Sequence, residues 1–104
     1  MSETLQIPSG VNGFAEDKDE ARALRQSKVL PALEKGEALA LDFSKVSYAT
    51  QSYVHTLLGE ALQRFGGQVL ESIEFKNCSP SVRSVIELVV DYSLAGFADQ
   101  NVEG

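Results

Sequence analysis

The chain has 104 residues, enough for one domain with a core and too few for two. With 43% hydrophobic and 23% charged residues it is not a disordered chain, and a formal net charge of -6 argues against a phosphate backbone as its partner. No apolar run approaches the roughly 20 residues that span a bilayer, the opening MSETLQIPSG lacks the basic and apolar regions of a signal peptide, and Cys78 is the only cysteine, which excludes an internal disulfide and a thiolate zinc cage.

Thr4 to Ile7 reads as a short strand, stopped by the Pro8-Ser9-Gly10 turn signal. Val11 to Phe14 is expected to pair back on it as a second strand. A helix follows over Glu16 to Arg25, with Asp17 and Asp19 suited to its N-terminus by capping and by charge. Ala21 and Leu24 start an apolar stripe that Val29, Leu30 and Leu33 resume less regularly. Pro31 removes a backbone donor and disfavours helix at Leu30, which predicts a kink or restart there. Lys35-Gly36 ends the helix, cation then glycine.

Ala38 to Phe43 is a strand with Leu39, Leu41 and Phe43 on one side and small alanines on the other. Apolar on both faces, it reads as the central strand of a sheet covered by helices. The next helix, Gln51 to Phe65, carries Val54, Leu57, Leu58, Ala61, Leu62 and Phe65 on a single face. Gly66-Gly67 terminates it. A third strand is expected from about Val69 to Lys76, with Ile73 and Phe75 alternating against Ser72, Glu74 and Lys76. Ser79 is a good N-cap and Pro80 a good first residue for the last helix. Val82, Val85, Ile86, Val89 and Val90 give that helix its apolar face, which should end near Tyr92, and residues 97–104 are expected to fray. Alternating strands and helices with short connections imply parallel pairing and right-handed crossovers. The fold class is therefore α/β: a small sandwich of three to five mostly parallel strands with about three helices on at least one face.

Catalytic apparatus is sparse. His55 flanks the apolar stripe of its helix and has no second histidine to share a metal with. Cys78 lies between a strand and a helix N-terminus, a position that lowers a thiol pKa. With Arg83 it resembles the phosphate cradle of cysteine phosphatases, which makes a thiol-dependent phosphatase the alternative reading. The four residues between Cys78 and Arg83 are one fewer than such a loop uses, and Pro80 removes one of its amides. No glycine pattern matches a phosphate or dinucleotide loop. Glu16, Asp17, Asp19 and Glu20 read as a solvated helix face. The loop Ser47-Tyr48-Ala49-Thr50-Gln51-Ser52-Tyr53 is different, because it gathers hydroxyls at a helix start, where free N–H groups favour an anion. Its plain reading is capping by Thr50 or Ser52; its functional reading is a hydroxyl that accepts a phosphoryl group.

LDFSKVSYATQSYVHTLLGEAL resembles the central segment of STAS domains, the fold of bacterial anti-sigma factor antagonists. Leu41-Asp42-Phe43-Ser44 and Val46 fit the family's strand and turn, Tyr48 its aromatic, and Val54, Leu57, Leu58 and Gly59 its helix. Ile73 to Val82 is similar to the strand–Asn–helix junction of a divergent STAS-like group of unknown function. The likeness covers about Ala38 to Leu88. It implies a non-catalytic signalling or regulatory domain, and its phosphorylated hydroxyl corresponds to Ser52. Thr50 stands where the family has aspartate, Gln51 where it has its first serine, and Tyr53 where it has glycine. The resemblance further implies a protein partner, a histidine-kinase-like ATPase or an anti-sigma factor, met by Tyr48, Thr50, Gln51, Ser52, Tyr53 and His55. No cofactor, metal, nucleic acid or membrane enters this expectation. The expected location is cytoplasmic, and a homodimer through an exposed strand edge is the structural alternative.

Overall fold

The computed structural model of the protein describes residues 3–95. In chain order it consists of β1 (Glu3–Gln6), a 3-10 turn (Val11–Gly13), β2 (Phe14–Ala15), α1 (Lys18–Leu24), a π turn (Arg25–Val29) and α2 (Leu30–Lys35). Then come β3 (Leu39–Asp42), β4 (Tyr48–Ala49), α3 (Gln51–Phe65), α4 (Gln68–Ser72), β5 (Ile73–Lys76) and α5 (Pro80–Ala95). The class is the α/β arrangement expected. One parallel sheet has the order β1-β3-β5, and β2 and β4 make a second, two-stranded parallel pair.

Register explains the core. Leu5, Leu41 and Phe75 lie side by side, as do Leu39 and Ile73. Leu39, Leu41 and Ile73 are buried beneath the helices, where α3 packs between α1 and α5. Val54, Leu57, Leu58 and Leu62 of α3 are fully enclosed, each contributing about 1.5–3 kcal/mol of burial. The opposite sheet face corrects the expectation of a covered sheet. Thr4, Gln6, Glu74 and Lys76 are exposed there, and Ala40 is buried only among its neighbours. Among the described residues, helices cover one face.

Three other boundaries differ from expectation. Val11–Gly13 is a turn, with Asn12 (φ 59°) and Gly13 (φ 77°) in the left-handed region. The strand that follows it pairs with β4 and not with β1. Val69 belongs to α4: the glycine pair closes a turn in which the Val69 and Leu70 amides reach Gly66 O and Gly67 O, and Val69 is buried from a helix. α5 runs past Tyr92 to Ala95. The expected break at Pro31 takes the form of the π turn, in which the Leu30 N–H reaches Arg25 O. A proline ring crowds the carbonyl four residues earlier, and widening the preceding turn lets Leu30 keep helical angles (φ -65°, ψ -42°). The caps follow the sequence: Asp17 starts α1, Gly36 (φ 72°) ends α2, and Ser79 Oγ accepts the Val82 N–H at 3.2 Å. No helix among the described residues is long and apolar enough to cross a membrane.

Candidate functional site

The loop leading into α3 is fixed from three directions. The Ser47 N–H donates to Gly13 O at 2.8 Å, and the Thr50 N–H to Ala15 O at 3.0 Å. The carbonyl of Ser47 accepts from the hydroxyls of Ser79 (2.9 Å) and Ser81 (3.2 Å) at the start of α5. Thr50 Oγ1 then accepts the Tyr53 N–H at 3.1 Å, which makes Thr50 the N-cap. Gly13 is required for the first contact. A Cβ on it would lie 2.6 Å from Ser47 Oγ.

This scaffold holds a cluster of exposed side chains. Tyr48 is 39% exposed and Phe14, which reaches it from β2, is 42% exposed; their rings lie 5.4 Å apart at 52°. Gln51 and Ser52 occupy the exposed first turn of α3, and His55 follows them on the surface. His55 stacks on Tyr92 of α5 at 5.9 Å, and Gly59 one turn on makes room for its ring. Because Thr50 does the capping, the Ser52 hydroxyl is not committed to the helix end. A phosphate there would meet the positive end of the helix dipole.

Tyr53 does not join this surface. Expected among the contact residues, it has no solvent exposure and is the largest enclosed side chain of the core. Its Oη lies near the Glu20 carboxylate but makes no hydrogen bond of ordinary length among the described residues. Burial, then the charge of Glu20 and the pull of its carboxylate on the phenol hydrogen, then the charge of Asp17, push its ionisation far above the usual tyrosine value. The turn inward was signalled by spacing: Tyr53 precedes Leu57 and Ala61 at successive steps of four, on the flank of the apolar stripe. Phe14 and Tyr92 were missed, since each reaches the site by a contact distant in sequence.

At the C-terminal end of β3, Asp42 Oδ1 accepts from Asn77 Nδ2 (3.0 Å) and from the Ser44 N–H (2.9 Å). These bonds, the Asn77 amide first, hold the Asp42 carboxyl below the ordinary carboxylate range. Asn77 takes a left-handed conformation (φ 58°) to reach it. Cys78 and Arg83 both line a cavity of about 300 Å³, together with Leu70, Phe75, Ile86 and Val90 and the carboxylates Glu87 and Asp91. Burial there raises the thiol pKa, and the Arg83 charge offsets this only in part. That is the reverse of an activated nucleophile.

A family model described as the STAS-like domain of unknown function (DUF4325) matches residues 20–83, more than half of the chain. The chain belongs to this family. The match runs from the first turn of α1 to the first turn of α5, and so contains the whole loop from β3 to α3. Comparison with curated proteins and with solved structures finds no match.

Proposed function

We propose that this STAS-like domain is a non-catalytic regulatory module that binds a protein partner through the surface around Tyr48, Gln51, Ser52 and His55, with Thr50 shaping it from beneath. The observation that carries the reading is the Phe14–Tyr48 aromatic pair, exposed beside the uncommitted Ser52 hydroxyl on a loop held by backbone bonds. Exposed aromatics on a preorganised support bind at low entropic cost. Anti-sigma factor antagonists, which the sequence resembles, supply the analogy for the switch. A histidine-kinase-like ATPase partner would transfer the γ-phosphoryl of ATP to the Ser52 oxygen, releasing ADP. The added charge of about -1.5 to -2 would alter what the aromatic patch accepts.

The test is capture of the cell's histidine-kinase-like ATPases and anti-sigma factors on the immobilised domain. The reading expects a partner that Tyr48→Ala loses and Ser52→Glu weakens, with radiolabel from ATP absent in Ser52→Ala. Capture of no such protein, or capture indifferent to Tyr48→Ala, would overturn it.

A further inference from the structure

The three-stranded sheet ends in β5, which pairs with β3 on one side and, among the described residues, with no strand on the other. Lys76 O accepts the Phe43 N–H at 2.9 Å, so the backbone groups of Lys76 point toward β3. Both groups of a strand residue point the same way and successive residues alternate, which turns the N–H and carbonyl of Phe75 outward. The Ile73 N–H, outward likewise, is taken by Val69 O. On the helix side of this edge lie the half-buried Phe75 ring, the cavity of about 300 Å³ and Leu70, which is 45% exposed. On the other side Glu74 and Lys76 stand exposed, and the ion pairs among the described residues use neither. An unpaired strand edge flanked by apolar surface is a template for another chain.

The charge pattern selects the occupant. Antiparallel pairing of β5 with a second β5, centred on Phe75, sets Glu74 of each chain opposite Lys76 of the other, once on each side of the axis. The outward groups of the two Phe75 residues then bond each other reciprocally, N–H to carbonyl both ways. Glu74 and Lys76 fall in the adjoining close pairs, where opposite charges stabilise a ladder, and the Phe75 rings meet on the helix side. β1, the other edge, offers no such complement. Centred on Leu5 it sets Thr4 against Gln6, and its Glu3 is already engaged by Lys28. Joining β1 to β5 would be heterologous and would leave an open edge at each end, whereas β5 on β5 closes at two copies. We propose that β5 pairs antiparallel with β5 of a second copy of this chain about a two-fold axis at Phe75, joining two three-stranded sheets into one of six strands. The inference goes beyond the partner-binding reading and uses none of the residues of that surface.

The experiment is sedimentation equilibrium of the full chain from micromolar to millimolar concentration. The mass should rise from that of one chain to that of two and stop there. Glu74→Lys and Lys76→Glu each set like charges opposite at both pairs and should weaken the dimer by about tenfold. The double variant Glu74→Lys/Lys76→Glu restores both pairs and should recover the parent affinity. An equimolar mixture of the two single variants should do the same by forming a mixed dimer. Amide hydrogen exchange followed by NMR should slow at Phe75 as concentration rises, while Thr4 and Gln6 on the opposite edge stay unchanged. A chain that remains monomeric throughout, growth beyond two copies, or a dimer indifferent to the single charge reversals overturns the proposal. So does a double variant as weak as the single ones, or a dimer that protects Thr4 and Gln6 in place of Phe75.

Discussion

The Gly13 carbonyl accepts the Ser47 N–H at 2.8 Å, and the two residues approach so closely that any Cβ on Gly13 would collide with the Ser47 side chain. Gly13 also sits at φ 77°, a conformation that L side chains rarely adopt. Gly13→Ala should therefore destabilise the domain by roughly 1–3 kcal/mol in chemical denaturation. Adding Ser47→Gly relieves the collision but not the backbone strain, so the double variant should recover only part of the loss. Full recovery would show that the strain is unimportant.

Tyr53→Phe removes a hydroxyl that makes no hydrogen bond of ordinary length among the described residues and leaves the ring in its place. Stability near neutral pH should stay level or rise by up to about 1 kcal/mol, whereas Tyr53→Ala should cost about 3–5 kcal/mol by opening a cavity. The pH dependence has a definite sign. Below about pH 10 the hydroxyl is neutral in both states. Above it the unfolded chain gives up the proton while the folded protein holds it, so stability falls as pH rises. Thermal unfolding across the alkaline range should show that fall in the parent and a shallower one in Tyr53→Phe.

Asp42 works in the opposite direction. Its carboxyl is held below the ordinary range by Asn77 and then by the Ser44 amide. The stabilisation it provides is present above the ordinary carboxylate pKa of about 3.9. It disappears as pH falls through the lower folded value, because the unfolded chain binds the proton first. Asn77→Gly keeps the left-handed backbone and deletes the donor. NMR titration of that variant should return the Asp42 pKa toward the ordinary carboxylate value. An unchanged pKa would mean that Asn77 is not what depresses it.

Cys78 should behave as a sheltered thiol. Alkylation by iodoacetamide followed against pH should have its midpoint above the free-cysteine value of about 8.5. Arg83→Ala, by removing the one nearby charge that lowers it, should move the midpoint further up. A midpoint below neutrality would revive the phosphatase reading.

The sequence disclosed those parts of the fold whose cause is local. The α3 helix was legible from Gln51 to Phe65 because its apolar residues repeat on one face and glycines follow it. Asp17, Gly36 and Ser79 each announce a helix end through a bond made within a few residues of themselves. β2 was read as an extension of a hairpin because a two-residue strand has no alternation to display, and its partner at Tyr48 is remote along the chain. Val69 has a strong strand propensity, yet the Gly66-Gly67 turn delivers it into a helical turn where its side chain meets the core. At the site, Tyr48, Thr50, Gln51, Ser52 and His55 do stand together at the head of α3. Tyr53 misled because its hydroxyl reads as a surface group, while its ring supplies volume beneath the helix.

The family match begins at Glu20 and so leaves out both β1 and β2. Yet β1 occupies one side of β3, and β2 clasps the loop that carries Tyr48. A relative sharing only the matched stretch would present β3 as a bare hydrogen-bonding edge, open to annealing with another chain, and its Tyr48 loop would lose its anchor. The opening segment therefore closes one edge of β3 and braces the loop that carries Tyr48, so the ends of the matched stretch are held by strands from outside it.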